Sequence, residues 1–577
     1  MGYLYEDRLA NGALDAFIKL PDTGARIVKM DTFFDWDFEN ALDIYWGNML
    51  IGDYVVVYAD KALFNTKLSD NSVFRRAAVL SPLGQETLDS AKITSIQQNP
   101  YLGLQGQGVL IGFADTGIDF TNPAFRWEDG STKIKYIWDQ SLSGGKFSEY
   151  GYGAEFAEEE INEALTAEDP HSVLTHTDTN GHGTFLASIA ASHERGNYRG
   201  AAPDSELIVV KLKKASQYAR EFYMIPSHDE EVYETADLIQ GVDCLIKKAR
   251  ELDRPIVICI GMGTNASGHD GSQIMESYLE TVSSSPGVVI CCAAGNEGNS
   301  AHHMEGLITK PGESVTVSIN VSEGAPSAFV VVCNQASERM SVSLVSPTGQ
   351  ILPRAQARAE QVILDELEIG HSKIQITYFF GYSLAFSQIT EIRIWDPAPG
   401  IWKLIVYGDI ITPSDITKNL MNDRFHVWLP LDGQGGEYLK ILEPERHYTL
   451  TTPANSKGVI TCVAYDGRSG AFWPESSEGT IRTHDYKPDI AAPGVDVPGI
   501  FPENYGTMSG TSVSAAVVTG ACALLMQWSM IDENMPSVNT YMLNALLIRG
   551  ADSSDFSYAW GFGKLNLYNT FLRMRNE

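Results

Sequence analysis

Four short motifs carry the residue types that acyl transfer requires. Asp115 begins the run DTGID, His182 lies in NGHGT, and Ser512 lies in GTSVSA. A serine hydroxyl is a weak nucleophile that needs a general base such as histidine, and the base needs a carboxylate to hold its tautomer. The tetrahedral intermediate needs donors for its oxyanion. The side chain of Asn296 in AAGNEG and the N–H of Ser512 at a helix N-terminus would supply them.

Each motif alone has an ordinary alternative. An Asp-Thr-Gly sequence at a strand end also occurs in phosphatases, a Gly-His-Gly sequence is more often a turn, and a Gly-Thr-Ser sequence carries almost no information. Their order along the chain, each with the strand or helix that a catalytic triad needs at that place, is specific. Together they favour a serine hydrolase with Asp115, His182 and Ser512 as its triad.

The elements around these residues predict an α/β fold. Asp115 ends the apolar run GVLIGFAD, which is typical of a buried parallel strand. His182 and Ser512 each open a run of small or apolar residues that predicts a helix, the second of which reaches Trp528. Strands alternate with helices through this region, which predicts a parallel sheet flanked by helices with its active site beyond the carboxyl ends of the strands.

The pattern of strands and helices along the whole chain predicts three domains. Residues 1–97 mix strand and helix patterns and are expected to form an α+β segment. After about residue 300 the chain becomes a series of short strands separated by Pro, Gly and Asn turns, which predicts an antiparallel β sandwich or jelly roll. The α/β pattern returns after about residue 455. The expected organisation is therefore 1–97, a catalytic domain in two parts (98–300 and 455–577), and an inserted β domain (301–454).

Composition limits the partners and the compartment. The 73 acidic and 42 basic residues leave a formal net charge of −31, which argues against nucleic acid or anionic membrane partners. No run of about 18 apolar residues of the kind that crosses a membrane is seen, and the N-terminus lacks the basic and apolar regions of a cleavable secretion signal. Seven cysteines with no CxxC pair suggest buried thiols in a reducing compartment, neither a disulfide framework nor a structural zinc site.

The motifs resemble those of the subtilisin-like serine proteases, the subtilases. The resemblance lies in GFADTGID, NGHGTFLA, AAGNEG, KPDIAAPG, SGTSVSAA and GFGKLN. It implies that Asp115 orients the base, His182 is base and then acid, Ser512 is the nucleophile, and Asn296 donates to the oxyanion. The substrate-binding strand of subtilases usually reads Ser-Leu-Gly-Gly. Here it reads Gly261-Met262-Gly263-Thr264, which keeps main-chain pairing but changes the rim of the S1 pocket.

A narrower resemblance is to the Csp-type subtilases of spore-forming clostridia, which act in germination. It rests on the stretch from SITSIQQNP to DFTNPAF, on YIWDQ, and on the long insert after the Asn-bearing motif. It implies a pro-domain cut autocatalytically near Gln97 and Gln98 and retained, a jelly-roll insert, and an intracellular or spore-packaged enzyme. The implied substrate is the zymogen of a cortex-degrading hydrolase. A catalytically silent regulatory protein of the same fold, or a general peptide-scavenging protease, remains an alternative.

Several other features have less specific interpretations. No metal or cofactor is predicted, and calcium stays open because no Asp-rich loop of the EF-hand type occurs. His302 and His303 are expected in an exposed loop, and His176 and Asp178 in a loop before His182. The acidic clusters at 155–163 and 229–234 are expected to be solvated, with recruitment of a basic substrate region as the alternative. The apolar helix after Ser512 is expected to be the buried central helix.

Overall fold

The computed structural model describes residues 23–29, 44–50, 54–60, 75–76, 79–82, 88–143, 149–193, 198–226, 231–335, 337–358, 367–369, 372–380, 387–411, 424–479, 486–553 and 555–575. The first strands of the chain are β1 (Thr23–Lys29), β2 (Ile44–Met49), β3 (Tyr54–Asp60), β4 (Arg75–Arg76) and β5 (Val79–Pro82).

The catalytic domain is organised around an eight-stranded sheet. Its strand order is β26-β25-β13-β11-β6-β9-β7-β8, parallel throughout except for the antiparallel pair at the β8 edge. The strands of the first part of the domain are β6 (Leu110–Asp115), β7 (Ile134–Asp139), β8 (Ala154–Ala157), β9 (Glu206–Lys211), β10 (Tyr233–Glu234), β11 (Ile256–Ile260), β12 (Met262–Gly263) and β13 (Val288–Ala293).

Helices cover both faces of this sheet. Successive residues of a strand point to opposite faces, so Ile111 and Phe113 enter one apolar core while Leu110 and Ala114 enter the other. The helices are α1 (Ile93–Gln97), α2 (Glu158–Thr166), α3 (His182–Ala191), α4 (Gln217–Phe222), α5 (Thr235–Glu251), α6 (Ile274–Ser283), α7 (Thr511–Met526), α8 (Thr540–Gly550) and α9 (Leu567–Arg575). The prediction of a subtilisin-like parallel sheet flanked by helices is confirmed.

The inserted segment is a two-layer antiparallel sandwich. One layer has the order β14-β23-β16-β21-β20-β19 and the other β18-β17-β22-β15-β24, and the side chains between them, Trp402 included, form a separate apolar core. The strands are β14 (His303–Leu307), β15 (Ser314–Val321), β16 (Ser327–Gln335), β17 (Arg339–Val345), β18 (Ile351–Ala355), β19 (Leu367–Ile369), β20 (Ser372–Phe380), β21 (Ser387–Trp395), β22 (Gly400–Ile410), β23 (Arg424–Trp428) and β24 (Leu439–Ile441). The more specific jelly-roll assignment stays a prediction.

The chain then returns to the catalytic sheet. The last strands are β25 (Ile460–Tyr465), β26 (Ile490–Pro493), β27 (Val497–Ile500) and β28 (Tyr505–Met508). Residues 511–531 form a segment long and apolar enough to cross a membrane by length and composition. Its most apolar 18-residue window has a mean hydropathy of 1.5, but 83% of that window is buried inside the protein. This segment packs against α3 and against the strands beside it, as expected for the central helix of the domain.

The N-terminal segment contributes its own antiparallel sheet, of order β2-β3-β1-β4. The helical part of the α+β prediction lies outside the described residues. Helix α1 belongs to the catalytic domain, because Ile93 and Ile96 are fully buried in its core and Leu567 N–H donates to Ala91 O at 3.1 Å. The catalytic domain therefore begins before the predicted residue 98.

Candidate active site

The structure brings the three predicted triad residues into one hydrogen-bonded chain. His182 Nδ1 lies 2.7 Å from Asp115 Oδ1, and His182 Nε2 lies 3.1 Å from Ser512 Oγ. Asp115 and Ser512 are fully buried and His182 is 4% exposed. A carboxylate at Nδ1 fixes the imidazole tautomer that leaves Nε2 as the acceptor for the serine proton.

Three different elements meet to make this chain. Asp115 is the last residue of β6, His182 the first residue of α3, and Ser512 the second residue of α7. The carboxyl end of a parallel strand and the N-termini of two helices converge here, so both helix dipoles present their positive ends to the site. A Cβ on Gly183 would overlap the carbonyl oxygen of Gly117, so glycine permits the close approach of α3 to the loop after β6.

The start of α3 is fixed by Asp178. One carboxylate oxygen of Asp178 accepts from Gly181 N at 2.8 Å, and the other accepts from Thr184 N at 3.0 Å and from its hydroxyl at 2.7 Å. Asp178 is a loop residue, as predicted, and it also satisfies N–H groups at the helix start that would otherwise have no partner. His176, two residues earlier in the same loop, is fully buried.

The predicted oxyanion donors lie together at the N-terminus of α7. Asn296 Oδ1 accepts from Thr511 N at 3.0 Å and from Thr511 Oγ1 at 3.1 Å. With its oxygen engaged, the side-chain NH₂ of Asn296 is the part left to donate, beside the first N–H groups of α7. The Thr511 hydroxyl also accepts from Gly295 N at 2.9 Å, which ties this loop to the helix that carries Ser512.

The predicted substrate-binding strand lies directly against the triad. A Cβ built on Gly261 would lie 3.0 Å from His182 Cε1 and 3.1 Å from Ser512 Cβ. Next to it, Met262 and Gly263 form β12, which pairs antiparallel with β5 of the N-terminal segment: Met262 opposite Pro82 and Gly263 opposite Ser81. On its other side β5 pairs antiparallel with β10. The N-terminal segment therefore passes through the cleft as the middle strand of three.

The two glutamines predicted to flank the processing site lie elsewhere. Gln97 is the last residue of α1 and is buried, and its carboxamide donates at 2.9 Å to the carbonyl oxygens of both Gly200 and Ala201. Gln98 caps the same helix and is exposed. The strand that occupies the cleft is instead Val79–Pro82, which no sequence motif marked.

Comparison with known proteins decides the family. A family model described as the subtilase family of S8 peptidases matches residues 106–381 and 433–563, well over half of the chain. The chain belongs to the subtilase family. This membership agrees with the serine hydrolase chemistry that the motifs predicted.

Among solved structures, the CspB protease of Clostridium perfringens shares 30% sequence identity and a TM-score of 0.73, covering 85% of this chain and 98% of that one. This supports the predicted similarity to the Csp-type subtilases. The C5a peptidase of Streptococcus pyogenes serotype M6 is 24% identical over 469 residues, or 76% of this chain and 36% of that protein. The minor extracellular protease Vpr of Bacillus subtilis is 22% identical over 545 residues, or 90% of this chain and 58% of that protein. The chain thus spans about a third of the C5a peptidase and little more than half of Vpr.

The expectation that His302 and His303 are exposed is wrong, because both are 1% exposed. His302 Nδ1 lies 2.7 Å from the carboxylate of Glu297, the residue after the oxyanion asparagine. Burial would lower the pKa of His302, but the charge and hydrogen bond of Glu297 raise it above its usual value. Burial would raise the pKa of the Glu297 carboxyl, but the charge and hydrogen bond of His302 hold it below its usual value.

His303 begins the insert and lies among aromatic rings. It stacks on Trp428 with 5.0 Å between ring centroids, and its Nε2 lies 3.1 Å from His426 Nδ1. Burial lowers the pKa of His303 to about 3. The sequence shows the two histidines as polar residues after a glycine-rich loop. Their burial depends on pairing with β23, more than 100 residues later.

The expectation of a solvated acidic cluster at 229–234 is wrong for Glu234, which is buried, whereas the Glu231 side chain is 34% exposed. Tyr233 and Glu234 are buried and form β10, one wall of the cleft. Burial raises the pKa of the Glu234 carboxyl, which accepts from Ser216 N at 3.0 Å. In the other cluster, Glu158, Glu159 and Glu160 form the first turn of α2, where negative charge is favourable.

Proposed function

We propose that the chain is an active serine endopeptidase that uses Asp115, His182 and Ser512 as its triad. The observation that carries the proposal is the continuous hydrogen-bonded chain from Asp115 through His182 to Ser512. His182 takes the Ser512 proton as the oxygen attacks a peptide carbonyl, and later returns it to the leaving amine. The Asn296 amide and the N–H groups at the start of α7 hold the oxyanion. These groups supply the whole reaction, and we propose that no cofactor is required.

The cleft geometry supports self-processing at a bond nearer to β5 than Gln97. The antiparallel register runs from Gly263 opposite Ser81 to Met262 opposite Pro82, so the strand advances towards Gly261 and the Ser512 hydroxyl. The next residue in the sequence is Leu83, followed by Gly84, and both lie outside the described residues. A chain that kept this register for one more residue would bring the bond after Leu83 to the nucleophile. We therefore propose Leu83–Gly84 as the processed bond.

Retention of the N-terminal segment after processing is supported by a buried contact with α5. Tyr58 on β3 is 1% exposed, and its hydroxyl donates to Asp237 Oδ1 at 3.1 Å. Asp237 also pairs with Lys213 Nζ at 2.7 Å. Burial, and next the charge of Asp237, raise the pKa of Tyr58 well above its usual value, so the phenol stays a neutral donor. A fragment held by such a buried polar contact, as well as by β5, would remain bound after the bond is cut.

The substrate class is proposed from the resemblance to the Csp-type subtilases. We propose limited proteolysis of a protein zymogen, specifically a cortex-degrading hydrolase in spore germination, by an enzyme that is intracellular or packaged in spores. The support is the match to the CspB protease over nearly all of that structure and a cleft already built to hold an extended segment as the middle strand of a sheet.

Comparison of wild-type protein with Ser512→Ala tests activity and processing together. The wild type should separate into two fragments on a denaturing gel, with the larger one beginning at Gly84 by N-terminal sequencing. Ser512→Ala should stay full length and fail to convert a purified cortex-hydrolase zymogen. A larger fragment that begins after Gln97 would refute the Leu83 assignment, and normal self-cleavage by Ser512→Ala would refute the nucleophile.

A silent regulatory protein is a second candidate, favoured by the occupation of the cleft by β5. Labelling with a fluorophosphonate distinguishes the two, since rapid reaction needs a working serine–histidine pair. Rapid labelling of the wild type that is lost in His182→Ala would exclude the silent form. Slow labelling of both proteins, after the N-terminal segment has been cut by an added protease and removed, would exclude the active protease.

A further inference from the structure

A second histidine–aspartate pair lies behind the loop that follows Asp115. His176 Nδ1 is 2.6 Å from Asp139 Oδ2, and neither side chain has any exposed surface. The mechanism proposed above gives the His176–Asp139 pair no role.

The pair belongs to the same edge of the sheet as the triad. Asp115, Lys211 and Asp139 end three adjacent parallel strands, with Lys211 in register opposite both acids. Lys211 Nζ lies 3.9 Å from Asp139 Oδ2 and donates to Thr177 O at 2.6 Å. Burial would raise the pKa of Asp139, but His176 and Lys211 hold it below its usual value. Each acid at this edge is therefore matched with a histidine, Asp115 with His182 and Asp139 with His176.

The other ring nitrogen of His176, Nε2, faces the loop that follows Asp115. Ile118 N–H donates to His176 Nε2 at 3.2 Å, and a Cβ on Gly117 would lie 3.1 Å from His176 Cε1. Because Nε2 accepts, the proton of the neutral ring is on Nδ1, where Asp139 receives it. The carboxylate of Asp139 thus selects the tautomer that can hold the Ile118 N–H.

The opposite side of this loop is held by the helix of the general base. Thr116 Oγ1 accepts from Gly183 N at 2.9 Å, and Asp119 N donates to Thr184 Oγ1 at 2.9 Å. The loop after Asp115 is therefore fixed between α3 on one side and the His176 ring on the other. A shift of the loop would change the Asp115–His182 distance, on which base orientation depends.

We propose that His176, held in one tautomer by Asp139, is a positioning residue that sets the place of Asp115 and through it the orientation of His182. The proposal rests on the triad assigned above. It adds to that assignment a buried pair that acts through the loop after Asp115 and determines how well the reacting atoms are aligned.

Three variants separate positioning from bulk stability. His176→Gln offers an amide oxygen near the position of Nε2 and keeps an acceptor for Ile118 N–H. His176→Asn has a shorter side chain that reaches Asp139 but leaves that N–H unpaired. Asp139→Asn places an amide donor against Nδ1, so the ring proton moves to Nε2 and faces the Ile118 N–H, the wrong-tautomer effect known for triad aspartates.

The readout is labelling of Ser512 by a fluorophosphonate, resolved into kinact and KI, together with the unfolding temperature. We expect kinact to fall about tenfold or more in His176→Asn and Asp139→Asn, with KI unchanged, and to recover largely in His176→Gln. The matched control is His193→Asn, because His193 lies just past the far end of α3 and faces Asp204 at 3.9 Å. Wild-type kinact in His176→Asn, or an equal loss in His176→Gln and His176→Asn at the same unfolding temperature, would overturn the proposal.

A second measurement needs no turnover. In a Ser512→Ala background, the Nδ1 protons of His182 and His176 should give two strongly downfield proton NMR signals. His176→Asn should remove one signal and shift the other. If the wild type does not react with the fluorophosphonate but the His182 signal still shifts in His176→Asn, the proposed hydrolysis is refuted and the positioning role stands. A His182 signal that does not move would refute the positioning whether or not the enzyme reacts.

Discussion

Loss of one buried hydroxyl should loosen the N-terminal segment without disturbing the cleft. In Tyr58→Phe the ring remains, and Lys213 Nζ can still lie over its face, 5.8 Å from the centroid in the wild type. What disappears is the donor to Asp237, the hydrogen bond with the Tyr152 hydroxyl at 3.2 Å and the acceptor for Gln240 Nε2. The substitution therefore isolates the polar part of the contact between the segment and α5.

The size of the effect follows from what remains around Asp237. Its carboxylate keeps Lys213 at 2.7 Å and the Tyr152 hydroxyl at 3.2 Å, and Gln240 keeps Ala236 O at 3.4 Å. No buried charge is left without a partner, so the loss is that of one hydrogen bond to a charged group at the low end of its range, about 1.5 kcal/mol. For a processed fragment that stays bound, this corresponds to a dissociation constant about tenfold larger.

The assay is dilution of the self-cleaved protein followed by native mass spectrometry, which counts molecules with and without the N-terminal fragment. Tyr150→Phe is the matched control, because it removes a buried phenol hydroxyl that donates to another carboxylate of α5, Asp243, at 2.7 Å. It should lower the unfolding temperature and leave fragment release unchanged. Equal release from Tyr58→Phe and wild type, or equal effects of the two variants on release, would show that the segment is not held by this contact.

Three further predictions concern the cleft, the charge pair behind it and the thiols. Gly261→Ala places a methyl 2.7 Å from Leu186 and 3.0 Å from the His182 ring. Overpacking of about 1–3 kcal/mol should therefore lower kcat at least about fivefold, and adding Leu186→Ala should restore part of it; an unchanged kcat would contradict the crowding. The pKa of His302 is raised above 6.5 and that of Glu297 lowered below 4.5, so their pair stabilises most at about pH 6 and fades as pH rises through the pKa of His302. His302→Gln should lower the unfolding temperature more at about pH 6 than at about pH 9, measured by calorimetry, and the reverse order would be inconsistent with this sign. All seven cysteines are buried and free, so a thiol-specific disulfide reagent at about pH 8 should react only after unfolding, and rapid reaction of the native protein would refute that burial.

The convergence of Asp115, His182, Ser512 and Asn296 could be predicted because the signals for their places are local. Asp115 ends an apolar run, and His182 and Ser512 each begin a helix, so a few neighbouring residues define each place. The central sheet could be predicted in the same way, because its strands are short apolar runs between amphipathic helices. In each case the sequence within about ten residues carries the physical cause of the structure.

The rest depends on pairing between distant parts of the chain. Val79–Pro82 has four residues and no periodic pattern, and it becomes a cleft strand only because it lies between β10 and β12. His176 reads as a loop residue until the edge of the sheet places Asp139 beside it. The burial of His303 likewise needs Trp428 from the end of the insert. Partners separated by tens to hundreds of residues leave no mark in either local sequence.

The three-stranded arrangement in the cleft has a kinetic consequence. A strand held in the cleft by its own folded segment behaves as an intramolecular competitor, with an effective concentration on the order of millimolar. A free peptide far below that concentration displaces the strand only if it binds correspondingly more tightly. A substrate that docks elsewhere on the enzyme also gains an effective concentration and competes on equal terms. Selectivity for a docked protein partner over passing peptides thus follows from occupancy of the cleft, before any subsite preference is considered.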